Sequence, residues 1–430
     1  MLRGETTRRG VLLGATAAAA TALAGCGGTG GTVHGVTTIV LWHGQNDVAK
    51  ATVERLVAEF NRTHPHIRVR ASSGGVLADG MLQKVMAALA AGSYPDLAYV
   101  FGSNLANLAR SDKVLDLTEQ ARDPAFGWAD RWPPARAAAS VDGRVRAMPA
   151  LLDSLCVVYN KKLFARSGVE PPRPGWSWAD FTTAARQLTD RHRGVFGTGW
   201  PAVGDEDTVW RIWPMVWDLG GDVARHGRPA FGGTSGLRAL DTVARLAADR
   251  SVYIDTQTGS DQLYQVFLGG SMAMVPTGPW QLPQVREAKL DYGVVPMPTY
   301  TGRPLTISGP DNWVIFDNGR DRAAAAVEFA RWLTAPKQDV RWDASAGSLP
   351  LRRSTARQPA WRHTVAGTPG LQVFVDALTT ARVRPTIRAY PQISRAVGEA
   401  IVSVLLGHAT PDAALSGALA AARTALASSL

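Results

Sequence analysis

Tryptophan is the residue type that first suggests a chemistry in this sequence. The chain contains 14 tryptophans among 430 residues, and several stand at turns rather than on apolar stripes. Four such positions are Trp42, Trp210, Trp213 and Trp280. Trp280 follows Gly278-Pro279, a turn that would hold its ring rigidly. A flat indole at a loop can stack on the apolar C–H face of a sugar, or it can fill a core.

Asp153 is the polar residue with the most unusual surroundings. It lies between Leu151-Leu152 and the apolar run Leu155-Cys156-Val157-Val158, which predicts a buried strand. A buried carboxylate without a partner costs on the order of several kcal/mol. The hydroxyl rim of a sugar would provide partners, because carboxylates, amides and guanidinium groups bind hydroxyls through directed hydrogen bonds. A salt bridge within the protein would satisfy Asp153 as well.

The elements that must position these residues alternate between short strands and amphipathic helices. Apolar residues predict strands over 38–42, 67–70 and 96–101, and helices over 53–60 and 81–89. Such order predicts an α/β fold with a mostly parallel sheet and helices on both faces. In open sheets of this kind, ligands bind beyond the carboxyl ends of the strands. Trp42 and Phe101 stand at two of these ends.

The N-terminus carries the pattern of an export signal. Arg8-Arg9 precedes an apolar run that ends in Leu23-Ala24-Gly25-Cys26 and is too short and alanine-rich for a membrane span. The arginine pair resembles a twin-arginine signal, and the exit resembles the lipobox of bacterial lipoproteins. On this interpretation residues 1–26 are the signal, Cys26 carries the lipid at the outer face of the cell membrane, and residues 27–36 are a flexible tether. The alternatives are the general secretory route for export and an alanine-rich helix of a soluble domain.

Length and composition limit the remaining possibilities. A chain of 430 residues suits two domains, because single cores stop growing near about 250–300 residues. Besides Cys26 there is only Cys156, which we expect to be a small buried hydrophobe, so no disulfide framework is possible. The formal charge of +10 comes largely from dispersed arginines, with no basic run interleaved with aromatics. We therefore expect no nucleic-acid partner.

Motifs of hydrolytic enzymes and metal sites are not evident in the sequence. There is no G-x-S-x-G elbow and no H-E-x-x-H motif. The close histidine pair, His64-Pro65-His66, is better explained by a proline turn before a strand than by a metal site. We expect no catalytic residues, cofactor or metal. An exported carbohydrate-active enzyme is the distant alternative.

Six segments in a fixed order resemble family 1 extracellular solute-binding proteins, which include the maltose-binding type. The similarity extends over nearly all of residues 37–430. The segments are Trp42 with 53–69, Tyr94-Pro95-Asp96-Leu97, 141–149 with 158–164, 267–280, 326–333, and Gly347-Ser348-Leu349-Pro350. Their shared order makes the resemblance specific.

This resemblance implies a type II periplasmic-binding-protein fold, in which hinge strands join two discontinuous α/β lobes and the ligand lies between them. Residues 37–150 and 308–378 would form lobe I, and residues 151–307 and 379–430 would form lobe II. A ligand that touches both faces would stabilise a closed form. The resemblance also implies the substrate-binding component of an ABC importer. Such a protein is a monomer that delivers its ligand to two transmembrane permease subunits with an associated ATPase.

The resemblance selects candidate ligand contacts. Asp153 matches an acidic sugar contact near the crossing between lobes, and Asp207 falls near a further acidic contact. The other candidates lie at strand ends, turns and crossings: Trp42, His43, Gln45, Phe101, Ser103, Asn104, Trp210, Trp280, Asp311, Asn312, Arg388 and Tyr390. Some maltose-binding relatives carry an acidic and a basic residue where this chain has Ser103-Asn104, so maltose itself is not assumed.

A mono- or oligosaccharide is the ligand that these residues favour. The main alternative is a glycerophosphodiester or another polyol in the same fold, since Arg388 would suit a phosphate if it faced the cleft. A ligand-dependent rise in melting temperature that leaves the sugar intact would separate a binding protein from an enzyme.

Overall fold

The computed structural model describes residues 30–45, 47–73 and 78–429 of the chain. The predicted export signal, Cys26 and residues 27–29 of the predicted tether lie outside these ranges. Within them, no helix combines the length and apolar character needed to cross a membrane.

Short strands and helices alternate along the described chain, and the five elements predicted between residues 38 and 101 are present. The strands are β1 (Gly31–Val33), β2 (Val36–His43), β3 (Ile67–Ser73), β4 (Leu97–Phe101), β5 (Ser140–Val141), β6 (Arg144–Val145), β7 (Met148–Leu151), β8 (Cys156–Asn160), β9 (Thr198–Pro201), β10 (Asp222–Arg225), β11 (Arg228–Ala230), β12 (Val252–Asp255), β13 (Met274–Thr277), β14 (Tyr292–Pro296), β15 (Thr306–Ile307), β16 (Asp311–Ile315) and β17 (Ala381–Arg382).

The helices cover both faces of the sheets that these strands form. They are α1 (Asp47–Thr63), α2 (Ala78–Ala90), α3 (Leu105–Leu108), α4 (Thr118–Arg122), α5 (Pro133–Ala138), α6 (Lys161–Ser167), α7 (Trp178–Leu188), α8 (Glu206–Trp210), α9 (Trp213–Asp218), α10 (Gly233–Ala248), α11 (Asp261–Leu268), α12 (Leu282–Glu287), α13 (Arg320–Leu333), α14 (Pro336–Ala346), α15 (Pro359–Ala366), α16 (Leu371–Ala377), α17 (Tyr390–Leu405) and α18 (Pro411–Ser428).

The first sheet forms the centre of lobe I and is mixed rather than mostly parallel. β2 pairs in parallel with β3 and β4, but β16 pairs antiparallel with β4 and β7. The prediction of a mostly parallel sheet is wrong here for a topological reason. β16 enters the lobe at the edge where β4 and β7 end, so it must run against them. Apolar residues of α1 and α13, such as Phe60 and Phe329, join Ile39 and Leu41 of β2 in one core.

The second sheet forms the centre of lobe II around β8, which pairs antiparallel with β13 and β14. Strands β9 and β12 pair in parallel beside it. Trp178, Trp200 and Trp213 are buried in the core of this lobe. Trp213 is therefore one of the tryptophans that fill a core. Cys156 is fully buried in β8, as predicted, and burial raises the pKa of its thiol.

The predicted tether is too long at its C-terminal end. Residues 31–33 form β1, which pairs antiparallel with β2 through Gly31–Thr38, Thr32–Thr37 and Val33–Val36. His34 and Gly35 connect the strands with φ angles of 50° and 76°. Such left-handed angles suit a tight hairpin turn, and glycine adopts them without strain. The flexible composition of residues 27–32 concealed this short strand.

The predicted boundary of lobe I at residue 378 is also too late. Helix α16 packs against β8 and β14 of the second sheet. Its Leu371 and Phe374 share a core with Cys156 and Val158. The chain has therefore joined lobe II before α16, and the Leu349 N–H already donates to the Leu152 carbonyl at 2.8 Å. Apolar periodicity predicts that α16 is buried but not which sheet buries it.

Three chain segments lie side by side where the lobes meet, namely residues 153–155, 306–309 and 381–384. The Leu155 N–H donates to the Ile307 carbonyl at 3.0 Å, and the Ser308 N–H donates to the Arg382 carbonyl at 2.8 Å. β15 and β17 pair in parallel at this place. The junction is thus held by backbone hydrogen bonds, and it carries side chains from three distant parts of the sequence into one region.

Candidate ligand-binding cleft

Asp153 lies at the junction beside backbone donors. The Gly309 N–H donates to Asp153 Oδ1 at 2.5 Å, and Ser308 Oγ donates to the Asp153 carbonyl at 2.6 Å. Gly309 is needed for close approach, because a Cβ there would lie 2.9 Å from Arg384 Nη2 and 3.1 Å from Trp210 Cζ2. Burial raises the pKa of Asp153 to about 6, opposed by the Gly309 N–H and the Arg384 charge.

Asp311 opens β16 at the same edge and forms a second buried acid. The Tyr99 hydroxyl donates to Asp311 Oδ2 at 2.6 Å, and the Gln45 side chain also hydrogen-bonds Tyr99. Burial raises the pKa of Asp311 to about 8, and the neighbouring Asp153 adds to the rise. The Tyr99 hydrogen bond and the Arg384 charge oppose it. Two buried carboxyl groups with raised pKa values therefore lie at the junction, and neither is among the residues that line the cavity between the lobes.

Arg384 joins these acids to a polar cluster on lobe II. Its Nη1 lies 2.8 Å from Glu206 Oε1, and the Arg384 and Glu206 side chains are 6% and 13% exposed. The Tyr390 hydroxyl donates to Glu206 Oε1 at 2.8 Å and accepts from Trp213 Nε1 at 3.0 Å. Ser394 Oγ donates to Glu206 Oε2 at 2.5 Å. Helices α8 and α17 thus present a fixed carboxylate toward the junction.

A cavity of about 210 Å³ lies between the lobes next to this cluster. Lobe I contributes the end of β4 and the 3-10 turn that follows it, through Phe101, Ser103 and Asn104. Asn104 is 2% exposed, and its Nδ2 has no hydrogen-bond partner among the described residues. Lobe II contributes Val203, Gly204, Asp205, Glu206, Tyr390, Pro391, Ser394, Arg395 and Glu399. The wall is therefore mostly polar, with carboxylates, hydroxyls and an unpaired amide donor.

Trp210 and Trp280 form an aromatic pair on lobe II beside Arg384. Their ring centroids are 5.4 Å apart, and the planes are tilted by 36°. The Trp280 ring lies over Gly278, where a Cβ would come within 1.8 Å of it, so only glycine leaves room. Trp280 also hydrogen-bonds the Tyr264 hydroxyl. Trp280 remains partly exposed, whereas Trp210 is buried and its Nε1 has no partner among the described residues.

Trp42, His43 and Gln45 lie at the end of β2 on the same edge of lobe I, but they do not line the cavity. Lys84 Nζ lies 4.4 Å from the centroid of the Trp42 ring. His43 is buried without a described partner for Nδ1, and burial is the main cause of its lowered pKa. The Gln45 carbonyl accepts a hydrogen bond from Ser73 Oγ at 3.1 Å.

Three further candidates lie away from the cavity. Asp207 pairs with the buried Arg211 inside lobe II, at 2.8 Å. Asn312 is fully buried in β16, where its Nδ2 donates to the Ala138 carbonyl at 2.8 Å. Arg388 is half-buried in the segment before α17 and is not among the residues that line the cavity.

Sequence reasoning missed Arg384 and selected Asp207 in place of Glu206. Arg384 stands only four residues before Arg388, and both belong to the same polar segment. Nothing in the composition of that segment says which arginine turns inward. The signal that was available is Pro385, which restricts Arg384 to an extended conformation beside β17.

No cluster of histidine, cysteine or carboxylate side chains within the described ranges is arranged to hold a metal ion. His64 stacks on Phe60 with ring centroids 3.9 Å apart, and His66 lies 3.5 Å from Glu328. The two histidines therefore have separate structural contacts.

Comparison with known proteins gives the same architecture. A family model for bacterial extracellular solute-binding proteins matches residues 44–340. The sn-glycerol-3-phosphate-binding periplasmic protein UgpB of Pectobacterium atrosepticum is 24% identical over 416 residues, which cover 89% of this chain and 90% of the relative.

Solved structures agree with the two-lobed fold. The cyclic alpha-maltosyl-1,6-maltose binding protein from Arthrobacter globiformis has a TM-score of 0.78 and 24% identity, covering 91% of this chain and 99% of that one. UgpB from Mycobacterium tuberculosis, in complex with glycerophosphocholine, has a TM-score of 0.80 and 21% identity, covering 91% and 98%. The predicted type II fold and family resemblance are confirmed, and this chain belongs to the bacterial extracellular solute-binding protein family.

Proposed function

We propose that this protein captures a sugar between its lobes and delivers it to the permease of an ABC importer. The observation that carries this proposal is the polar cavity of about 210 Å³ between Asn104 of lobe I and Glu206 of lobe II. A ligand there would touch both lobes and so favour the closed form.

The chemistry of the wall suits a polyhydroxylated ligand. Glu206 and Asp205 provide acceptors for hydroxyl donors, while Asn104 Nδ2 provides an unpaired buried donor. The partly exposed Trp280 ring can cover an apolar C–H face from lobe II. Pockets for drug-sized ligands occupy about 300–1,000 Å³. The cavity here is smaller, so we expect it to hold a monosaccharide, whereas an oligosaccharide would need a wider separation of the lobes.

A glycerophosphodiester or another polyol is the second candidate. It is supported by two relatives, the sn-glycerol-3-phosphate-binding protein of P. atrosepticum and the M. tuberculosis structure with glycerophosphocholine. Arg388 was the sequence-based reason for this alternative, and its position outside the cavity wall weakens it. An exported carbohydrate-active enzyme is the distant alternative.

A thermal-shift screen tests the proposal. Mono- and oligosaccharides and glycerophosphocholine would be added to the purified protein, and each stabilising ligand would be checked for chemical change afterwards. A ligand at 100 times its Kd stabilises the folded state by about 2.7 kcal/mol. We expect a sugar to raise the Tm and to be recovered intact. A cleaved sugar would identify an enzyme, and stabilisation by glycerophosphocholine alone would favour the second candidate.

The cellular setting is part of the same proposal. Export through the Arg8-Arg9 signal would release Cys26 as a lipid-bearing N-terminus, and residues 27–29 would separate the anchor from β1. The protein would then act as a monomer at the outer face of the cell membrane, next to two permease subunits with their ATPase. Cys26→Ser should move the protein from the membrane to the soluble fraction without changing its Tm. Retention in the membrane would contradict the lipid anchor.

A further inference from the structure

Arg384 is a buried cation whose charge is compensated by several acids. Its Nη1 lies 2.8 Å from Glu206 Oε1, and the charges of Asp153 and Asp311 also act on it. Burial lowers the pKa of Arg384, but Glu206 and the other negative groups outweigh burial and raise it above its ordinary value. The guanidinium therefore brings little uncompensated positive charge to the cleft.

Glu206 is held in place by groups that are fixed themselves. Both of its oxygens accept hydrogen bonds, Oε1 from Tyr390 and Oε2 from Ser394. Tyr390 is oriented by Trp213, which is fully buried in the core of lobe II. The ion pair with Arg384 is thus preorganised without any contribution from a ligand. A ligand that needed Arg384 would have to displace a carboxylate that three donors hold.

The ion pair borders the cavity, because Glu206, Tyr390 and Ser394 all belong to its wall. Asp205 and Glu399 add two more carboxylates to that wall. Arg395 also belongs to it, but its side chain is exposed, so solvent screens its charge. Glu399 is exposed as well, so the half-buried carboxylates of Glu206 and Asp205 would account for most of the repulsion that a phosphate meets in this space.

We infer that Glu206 is a specificity-determining residue: by occupying Arg384, it reserves the cleft for uncharged polyols and excludes ligands that carry a phosphate. This inference rests on the proposed function, because it concerns the same cleft. It concerns the charge class of the ligand rather than the identity of the sugar.

A single isosteric substitution of Glu206 should allow the cleft to bind a ligand that carries a phosphate. Guanidinium groups bind phosphate through paired, charge-assisted hydrogen bonds, and Arg384 lies next to the cavity wall, with its Nη1 2.8 Å from Oε1 of Glu206. Glu206→Gln keeps the volume and an acceptor for Tyr390 but removes the negative charge. The variant should therefore present Arg384 to an anion in the cavity.

Isothermal titration calorimetry with sn-glycerol-3-phosphate tests the inference. We expect the wild type to bind this probe weakly or not at all, and E206Q to bind it about 10- to 100-fold more tightly, the gain typical of one charge-assisted contact. E399Q is the control for net charge, because it removes one negative charge from an exposed position of the same wall and leaves Arg384 paired. The double variant E206Q/R384M should lose the gain. E206S provides a second neutral variant if E206Q does not fold.

Three outcomes would overturn the inference. These are tight binding of the probe by the wild type, an equal gain in E399Q, and no gain in a folded E206Q or E206S. Each is independent of the sugar screen. If no sugar binds the wild type, the proposed function fails, whereas a sugar that binds while E206Q gains nothing refutes only the role of Glu206.

Discussion

Glu206 and Asp207 are neighbours in α8, and each pairs with an arginine that is buried, yet the two ion pairs lie in different parts of the molecule. Glu206 reaches Arg384 at the junction, and Asp207 reaches Arg211 one turn along its own helix, both at 2.8 Å. Successive residues of a helix point about 100° apart, so the two carboxylates reach different arginines. Glu206 is 13% exposed and belongs to the cavity wall, whereas Asp207 is 34% exposed and does not.

The Asp207–Arg211 ion pair connects several secondary-structure elements of lobe II. Arg211 is 0% exposed, and it also donates to the Pro276 carbonyl at 3.1 Å and to the Tyr264 hydroxyl at 3.2 Å. It thereby joins α8, β13 and α11 within one lobe. The Glu206 pair instead joins elements that border the cavity. If the proposed role of Glu206 holds, two adjacent acids with the same chemistry serve stability and selectivity separately.

The largest effect should follow loss of the pair inside lobe II. Arg211→Met leaves Asp207, Pro276 and Tyr264 without their shared donor. Because Asp207 is 34% exposed, solvent offsets part of the loss, and we expect a cost of about 2–4 kcal/mol. Urea unfolding measures the loss. Arg245→Met, the same change at an exposed position of α10, should stay within about 0.5 kcal/mol. Equal costs for both variants would show that the Arg211 pair has no special structural role.

The second effect concerns affinity rather than stability. Trp280→Ala removes a partly exposed ring that we propose covers the ligand from lobe II, and we expect a loss of about 2–4 kcal/mol in ligand binding, or about 30- to 1000-fold in Kd. Calorimetry with a sugar from the screen measures it, and Trp280→Phe should lose less. Trp280 also hydrogen-bonds the Tyr264 hydroxyl. If the Tm fell sharply while the affinity stayed unchanged, the Trp280 ring would have a structural role, like the Asp207–Arg211 ion pair.

The third effect is a dependence of the free energy of unfolding on pH, which arises from Asp311 at the junction between the lobes. Burial raises the pKa of Asp311 to about 8, above the value of about 3.9 expected in the unfolded chain. Between these values the folded state binds more protons than the unfolded state, so the free energy of unfolding falls as pH rises. The slope is about 1.4 kcal/mol per pH unit, which gives about 2–3 kcal/mol from pH 6 to pH 8.

Asp311→Asn cannot titrate and provides the comparison for this measurement. Its stability relative to the wild type should increase steadily from pH 6 to pH 8 in urea unfolding. Asp153, with a pKa of about 6, contributes the same sign in the window below pH 6. A constant difference between D311N and the wild type would contradict the raised pKa of Asp311.

The smallest effect should come from Asp153→Asn. Asparagine retains an acceptor for the Gly309 N–H but loses the charge, which we propose strengthens hydrogen bonds to ligand hydroxyls. We expect a loss of about 1–2 kcal/mol in sugar affinity, and little change in Tm at pH 7. Asp412→Asn, on the exposed start of α18, is the control and should bind normally. A D153N variant with full affinity would place Asp153 among structural residues of the junction.

The sequence predicts much of the framework, because alternating apolar patterns and chain order determine strands such as β2 and β4. Trp280 and Asp153 stay predictions as ligand contacts: a turn before a tryptophan and an acid inside an apolar run are visible without coordinates, but neither residue is among those that line the cavity. It does not distinguish Glu206 from Asp207, because a shift of one residue changes the direction of a helical side chain by about 100°. The choice between Arg384 and Arg388 has the same difficulty, since it depends on how the segment packs beside β15.

The start of β16 makes the charge of the cleft sensitive to insertions and deletions. Asp311 turns its carboxylate to Tyr99, whereas Asn312 turns its amide to Ala138, and the pairing with β7 shifts between these two residues. Side chains alternate between the faces of a strand, so one residue gained or lost in the Gly309-Pro310 segment would exchange the carboxylate for the amide. Because burial raises the pKa of Asp311 to about 8, such an exchange would replace a mostly protonated carboxyl group by an amide near neutral pH, and it would remove a negative charge from this site only at higher pH.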